Sequence, residues 1–194
     1  MSLRLTFIAH GATQATRAAA FPRDEPLEPA SHAKAKALRP HLGRIDGAWT
    51  SPARRAVETA EALGLAAAID PRLADIDLGS WAGESLADVE TADAAGLARW
   101  MEDPTSAPHG GESVAALMIR AAIWLDEIGR GHGRIIAVTH AAFIRAVAIV
   151  ALNADPKSFW RIDIEPLSFS RFLATNGRWT LRSINAGAGQ GDVA

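Results

Sequence analysis

Two short apolar runs that each end at a histidine constrain the fold of this chain more than any other feature. Leu3–Ala9 is followed directly by His10, and Arg134–Thr139 is followed directly by His140. Runs of this length and apolarity are typical of strands that are buried on both faces, as in a parallel sheet. The carboxyl ends of parallel strands meet at one edge, where open α/β sheets bind their ligands. The sequence therefore predicts that the two histidines lie at the same edge of an α/β sheet.

The remaining pattern alternates strands and helices along the chain. A short strand is predicted at Gly47–Thr50, and Asn176-Gly177 is a strong hairpin signal between two terminal strands. Further helices and strands are predicted at Ser31–Leu42, Ser85–Glu102, Glu112–Ile128, Ala141–Leu152, Ser168–Ala174 and Arg178–Ile184. This order favours a three-layer α/β/α sandwich with a mainly parallel sheet. We expect a single domain over residues 1–185 and a flexible tail over 186–194.

Two adjacent arginines follow the predicted strand at Gly47–Thr50. Ser51 and Pro52 have the chemistry of an N-cap and a first helical residue, which predicts a helix running to about Leu63. Arg54 and Arg55 would then lie in its first turns, where cations are unfavourable unless an anion is close by. This position favours a small-anion site, with an ordinary solvated helix face as the alternative.

The composition excludes several classes of function. The 194 residues include no cysteine, so disulfides, thiolate nucleophiles and cysteine metal sites are ruled out. The formal net charge of -2 provides no general basic field for nucleic acid or an anionic membrane. We see no secretory signal, membrane span or metal-binding histidine motif, so we expect a cytoplasmic protein without a metal or other cofactor.

Several short motifs occur in a characteristic order. They are Ala9-His10-Gly11-Ala12-Thr13, Asp24-Glu25-Pro26-Leu27, Ser51 to Ala60, the set Leu73, Asp75, Gly79, Trp81 and Gly83, Gly110-Gly111-Glu112-Ser113, and Val138 to Arg145. Together they resemble the histidine phosphatase superfamily, whose phosphoglycerate mutase-like fold is shared by cofactor-dependent phosphoglycerate mutases and many small phosphatases. Each motif is weak by itself, but the ordered set covers most of the chain to about residue 145.

The resemblance implies a role for four side chains. His10 would be the nucleophile that forms a phosphohistidine, and Arg55 would hold phosphate oxygens. His140 would donate a hydrogen bond or charge to the transferring group. Asp75, where the family usually has glutamate, would protonate the leaving oxygen and later activate water. This chemistry implies no metal ion, because side chains neutralise the developing charge.

One departure from the family pattern concerns the residue before the nucleophile. Ala9 stands where the family has an arginine that contacts the phosphoryl group. We expect another arginine to compensate, and Arg17 and Arg54 are the candidates. Arg145 is disfavoured because it lies on the helix beyond His140 and occurs there in the family.

Further residues are expected around the site. The candidate substrate and phosphate contacts are Gly11, Thr13, Thr16, Arg17, Arg54 and Ala141. Asp77 and Glu84 remain alternatives for the acid. Trp81 and Trp100 are candidate walls of the substrate site, and His109 is a candidate for its mouth.

The resemblance predicts a metal-independent phosphomonoesterase whose ligand is a small phosphorylated metabolite or inorganic phosphate. The alternative is an impaired relative that serves as a phosphoester-binding or regulatory domain. A mutase is disfavoured, because mutases of the family carry longer insertions than the roughly 25 residues between Gly83 and Gly110. The sequence leaves open whether two copies form a homodimer.

Overall fold

A computed structural model describes residues 2–188, which form a six-stranded mixed sheet. Its strands are β1 (Ser2–Ala9), β2 (Gly47–Thr50), β3 (Ala68–Ile69), β4 (Gly133–Thr139), β5 (Phe169–Thr175) and β6 (Arg178–Ala186). The strand order is β3-β2-β4-β1-β5-β6. The first four strands in that order are parallel, whereas β5 and β6 are antiparallel to their neighbours. The predicted mainly parallel sheet is thus confirmed.

Helices cover both faces of this sheet. They are α1 (Gln14–Arg17), α2 (Pro29–Leu38), α3 (Arg54–Ala62), α4 (Leu86–Glu102), α5 (Val114–Ile128) and α6 (Ala141–Leu152). Short 3-10 helices are formed by Arg39–His41, Pro71–Leu73, Gly79–Trp81 and Pro156–Arg161. Between residues 2 and 188, no helix combines the length and apolarity needed to cross a bilayer. Helices α2 and α3 pack on one face and α5 and α6 on the other, as expected for a three-layer sandwich.

Strand β4 shows why its sequence is apolar at successive positions. Ile136 and Val138 contribute to the core beneath α2 and α3, while Ile135 and Ala137 contribute to the core beneath α5 and α6. Both faces of the strand are therefore buried, and each large apolar side chain contributes about 1.5–3 kcal/mol by leaving water. A strand that is buried on both faces holds its carboxyl end, and His140 beyond it, at a fixed place.

The predicted start of helix α3 was wrong, and strand β3 was missed. Helix α3 begins at Arg54, and its N-cap is Ala53 without a side-chain cap, rather than Ser51. A tertiary contact of the Ser51 hydroxyl, described below, takes the place of the local capping interaction. Strand β3, only two residues long, was not predicted because Ala68–Ile69 follows an alanine-rich run with no alternation.

The carboxyl-terminal hairpin forms where the sequence predicts it. Asn176 and Gly177 both adopt positive φ angles, 51° and 75°, as a tight hairpin turn between β5 and β6 requires. Of the predicted tail over 186–194, Ala186 is the last residue of β6, and residues 189–194 lie outside the described part of the chain.

Candidate active site

The ends of three neighbouring strands bring the predicted site residues together. His10 follows β1, His140 follows β4 and caps α6, and Ser51 follows β2. Backbone hydrogen bonds continue the sheet into these residues, from His10 N to the carbonyl of Thr139 (2.8 Å) and from Ser51 N to that of Val138 (2.9 Å). The rings of His10 and His140 lie 5.0 Å apart between centroids. The strand-end prediction therefore describes the actual arrangement.

The His10 ring is held in one orientation by its own neighbour. Its Nδ1 lies 2.8 Å from the carbonyl oxygen of Gly11, an acceptor that requires the ring proton to be on Nδ1. Nε2 is then left with a lone pair, and it accepts a long hydrogen bond from Nε of Arg55 at 3.3 Å. The ring thus presents an unprotonated nitrogen on the side where the arginine lies.

The surroundings of His10 also keep the ring neutral. Burial, followed by the charge of the neighbouring His140 and Arg55, lowers the pKa of His10 from 6.5 to about 3. The acceptor at Gly11 and the carboxylate of Asp75 raise it, but by less. A neutral imidazole at ordinary pH is what a nucleophilic nitrogen requires.

The lowered pKa of His10 leads to a titration prediction. We expect the His10 ring signals in a heteronuclear NMR experiment to stay constant from pH 8 down to pH 5, because protonation begins only near the folded pKa of about 3. The unfolded chain takes up this proton near pH 6.5, so His10 contributes stability that is present above pH 6.5 and declines as the pH falls toward 3. A titration midpoint near 6.5 in the folded protein would contradict the assigned environment.

Arg55 lies between His10 and Asp75. It is the second residue of α3, and its guanidinium is 2% exposed. Besides the contact to His10, its Nη1 donates to the carbonyl of Arg23 (2.7 Å) and its Nη2 to Oδ2 of Asp75 (2.8 Å). This planar donor group is well suited to the oxygens of a phosphoryl group that displaces the carboxylate.

Asp75 joins the arginine to the second histidine. Its Oδ2 contacts Arg55 and lies 3.2 Å from Nδ1 of His140, while its Oδ1 accepts the amide of Ile76 at 3.0 Å. Burial alone would raise the pKa of Asp75, but the neighbouring His140 and Arg55 outweigh it and hold that pKa well below its usual range. Asp75 is therefore a carboxylate beside these two groups.

The segment that carries Asp75 is fastened by Arg120 of α5. Two amino groups of Arg120 donate to the carbonyls of Arg72 (2.7 Å), Ala74 (2.8 Å) and Asp75 (3.1 Å). A salt bridge of 2.6 Å to Glu112 holds the guanidinium in place. The irregular loop therefore has a fixed backbone at the position of the acid.

Ser51 sets the orientation of His140, a role that the sequence analysis missed. Nε2 of the buried His140 lies 2.8 Å from the Ser51 hydroxyl, which also accepts the amide of Ala53. If the hydroxyl donates to Nε2, the ring proton is on Nδ1, where it faces the Asp75 carboxylate. Nδ1 has no well-aligned hydrogen-bond partner among the described residues. This buried nitrogen therefore has only the imperfectly aligned carboxylate of Asp75 opposite it, at 3.2 Å.

A cavity of about 270 Å³ opens beside these residues. His10 and Asp75 lie on its wall, and most of the remaining wall is apolar. Its aromatic members are Phe21, Trp100, Phe159 and Trp160. Of the two tryptophans predicted to line the site, Trp100 lines the cavity and Trp81 does not. Trp81 packs against Trp100 and against His109, which is buried and does not lie at the cavity mouth. The cavity is suited to a small ligand whose polar end meets the nucleophile.

The predicted ligand contacts divide into two groups. Thr13, Thr16 and Ala141 line the cavity, as expected. Gly11 does not line it, and a Cβ at this position would lie 3.0 Å from that of Ser31. The glycine therefore makes room for helix α2 rather than for a ligand, and it serves the site through the carbonyl that orients His10.

Neither arginine proposed to replace the missing one reaches the cavity. Arg17 forms a 2.6 Å ion pair with Glu28, and Arg54 forms a 2.7 Å ion pair with Glu58. Both arginines are largely exposed, whereas Ala9 is 3% exposed and lies on the cavity wall.

The alternatives for the acid also lie elsewhere. Asp77 is exposed and accepts the amide of Gly79 in a turn, and Glu84 is exposed as well. Asp75 is the only carboxylate on the cavity wall within residues 2–188.

Arg145 lines this cavity, although the sequence analysis disfavoured it. It follows Ala141 by four residues on α6, a spacing that places both residues on the same helix face. This four-residue spacing was the feature of the sequence from which a place for Arg145 at the cavity could have been predicted.

A larger cavity of about 670 Å³ lies at the opposite end of the sheet, beside the amino ends of β1 and β4 and the carboxyl end of β5. Its lining includes the arginines Arg4, Arg44, Arg134, Arg171 and Arg182. It holds none of the strand-end residues and is therefore not the candidate active site. Over residues 2–188, no group of three or more histidine, aspartate or glutamate side chains is arranged to hold a metal ion.

Comparison with known proteins identifies the family of this site. The sequence profile of the histidine phosphatase superfamily (branch 1) matches residues 5–187. Phosphoserine phosphatase 1 from Hydrogenobacter thermophilus is 30% identical over 156 residues, which cover 76% of this chain and 74% of that protein.

Solved structures agree with the profile. A mycobacterial glucosyl-3-phosphoglycerate phosphatase in complex with VO3 matches with a TM-score of 0.83 and 27% identity, over 95% of this chain and 99% of that chain. Its complex with inorganic phosphate matches with a TM-score of 0.82 and 26% identity, over 95% and 98% of the two chains. The strand-end histidines, the arginine beside His10 and the matching profile lead to one conclusion: this chain belongs to the histidine phosphatase superfamily.

Proposed function

We propose that this protein hydrolyses a small phosphomonoester through a phosphohistidine at His10. The observation that carries the proposal is the state of His10 Nε2. Burial and nearby positive charge keep the ring neutral, the Gly11 carbonyl leaves the lone pair on Nε2, and that atom lies beside the guanidinium of Arg55. With a formal net charge of -2, the chain is better suited to small ligands than to nucleic acid.

In the first step, the His10 lone pair attacks phosphorus and the bond from phosphorus to the ester oxygen breaks. Arg55 and Nδ1–H of His140 donate to the phosphoryl oxygens, whose charge is spread in the transition state. The leaving oxygen takes a proton from Asp75 and departs as an alcohol. The products of this step are a phosphohistidine, an Asp75 carboxylate and the free alcohol.

Asp75 must be protonated for this step, although its contacts with Arg55 and His140 favour the carboxylate. A phosphomonoester that enters competes with Asp75 for Nη2 of Arg55 and brings its own negative charge. Loss of a cationic partner and gain of an anionic neighbour both raise the pKa of a carboxyl group. Ligand binding thus favours the protonated acid.

In the second step, water attacks the phosphohistidine while Asp75 accepts a proton from that water. The bond from phosphorus to Nε2 breaks, inorganic phosphate leaves and His10 returns to its neutral form. As phosphate leaves, Asp75 gives up the proton that it took from water to the departing phosphate or to solvent, and the carboxylate pairs with Arg55 again.

The names of the relatives support this class of substrate. One is a phosphoserine phosphatase, and another is a phosphatase of glucosyl-3-phosphoglycerate with structures bound to VO3 and to inorganic phosphate. The 270 Å³ cavity with its aromatic walls suits a leaving group of modest size. The alanine at position 9 favours a second candidate, a domain that binds phosphoesters with little turnover.

An assay without metal separates the two candidates. We expect the protein to hydrolyse p-nitrophenyl phosphate at an undiminished rate in excess EDTA, because arginine and histidine side chains supply the positive charge. The control is the same reaction after added Mg²⁺ or Zn²⁺, which should not stimulate it. Phosphate binding without turnover of any ester tested would favour the binding domain.

A further inference from the structure

We propose that Arg145 takes the place of the missing first-strand arginine and binds an oxygen of the substrate's phosphoryl group. This assignment rests on the proposed function, since it requires a phosphoryl group at His10. It gives a phosphate-binding role to a residue on α6, one helical turn beyond Ala141.

The position of Arg145 is the first support. It shares the wall of the 270 Å³ cavity with Ala9, His10 and Asp75. Ala9 ends after Cβ and contributes to the core beneath α5 and α6, so the space that a longer side chain would occupy opens toward α6. In a cavity this small, side chains that share its wall can contact the same phosphomonoester.

The unused donors of Arg145 are the second support. Its Nε donates to the carbonyl of Ile162 (2.7 Å), and its guanidinium lies 5.8 Å from the centre of the Phe159 ring. These contacts orient the plane of the group. Neither terminal amino group has a hydrogen-bond acceptor within residues 2–188, and no carboxylate in that range lies within 4.0 Å.

The third support is that burying the charged Arg145 guanidinium without an ion-pair partner is energetically unfavourable. Burial lowers the pKa of Arg145, and the charges of Asp163 and Asp75 oppose that change without forming an ion pair. A half-buried cation without a counter-ion is unfavourable, and proteins generally keep such a group where a ligand supplies the opposite charge. A phosphoryl group on His10 would supply it. Arg17 and Arg54 differ here, because glutamates already neutralise them.

The test measures binding of inorganic phosphate to the whole protein by isothermal titration calorimetry. We expect Arg145→Gln to weaken binding about 10- to 100-fold, the range for loss of a charge-assisted hydrogen bond. Arg145→Lys should give an intermediate loss. Arg161→Gln is the matched control, since it removes the same charge from an exposed residue of the neighbouring 3-10 helix and should change nothing.

A rescue experiment separates phosphate binding from a structural role. Ala9→Arg placed in the Arg145→Gln background should restore most of the lost phosphate affinity, because the new guanidinium reaches the same space. A structural defect at α6 would not be repaired in this way. Thermal unfolding of each variant identifies any that does not fold.

Unchanged phosphate affinity in folded Arg145→Gln would overturn the assignment, as would a loss in Arg17→Gln or Arg54→Gln alone. If Arg145→Gln does not fold, Ala9→Arg in the otherwise native protein decides. The assignment predicts that Ala9→Arg does not bind inorganic phosphate more tightly than the native protein, because two cations would compete for one position. Tenfold tighter phosphate binding by this variant would overturn it. These readouts do not need turnover, so the proposed hydrolysis can fail or hold independently.

Discussion

Replacing His10 with alanine should lower kcat/KM for p-nitrophenyl phosphate by a factor on the order of 10⁵, the scale on which loss of a nucleophile acts. Among residues 2–188, the substitution removes the one imidazole that lines the cavity, whose Nε2 is unprotonated and fixed toward Arg55. The neighbouring His140 cannot replace it as a nucleophile, because its two ring nitrogens face Ser51 and Asp75. Steady-state kinetics measure the effect.

The same variant should retain phosphate affinity within a few-fold of the native protein, because Arg55 remains. Quenching the native enzyme during turnover of a ³²P-labelled ester should trap a protein phosphate that is labile in acid and stable in base, as expected for a phosphorus–nitrogen bond. His132→Ala, a change at an exposed histidine before β4, is the matched control. Activity of His10→Ala within tenfold of native would rule out the nucleophile assignment.

Replacing Asp75 with asparagine should have the second-largest effect, and its size should depend on the leaving group. For an alkyl phosphate we expect kcat/KM to fall by about 10²–10⁴, because the departing alkoxide needs a proton. For p-nitrophenyl phosphate the departing phenolate is weakly basic and leaves without one. A pre-steady-state burst of nitrophenolate should therefore persist in Asp75→Asn, followed by slow release of phosphate.

Asp77→Asn is the control for this experiment, since it makes the same chemical change two residues away at an exposed turn position. Equal losses for the alkyl and aryl esters in the burst phase would show that Asp75 is not the proton donor. Such a result would point to a role in placing Arg55, its partner at 2.8 Å.

Most of the site residues that could be predicted from the sequence were found because they follow the ends of strands. The apolar runs before His10 and His140 identify strands buried on both faces, and parallel strands align their carboxyl ends. The place after the strand Gly47–Thr50 pointed to Arg54 and Arg55 together, and the resemblance to the family motifs singled out Arg55 and Asp75. These four residues do contact one another, and His10 and Asp75 lie on the cavity wall, whereas Arg55 and His140 lie behind it.

Contacts between elements that are distant in the chain could not be predicted in the same way. Ser51 has the chemistry of a helix N-cap, yet its hydroxyl bonds to His140, which lies 89 residues away. Arg145 was set aside because of its place on a helix, although helical spacing from Ala141 directs it to the cavity. Local propensity does not include such tertiary partners, and in both cases the tertiary contact determined the role.

The contact between Arg55 and Asp75 has a consequence for which esters can react. An uncharged ester of the right shape would leave Arg55 with Asp75, and the carboxyl group would remain ionised and unable to donate a proton. A doubly charged phosphate ester would bind the guanidinium in place of Asp75, which would raise the pKa of Asp75 and allow it to donate a proton. Discrimination between phosphate esters and neutral esters would then arise from charge alone, before the walls of the cavity contact the rest of the molecule.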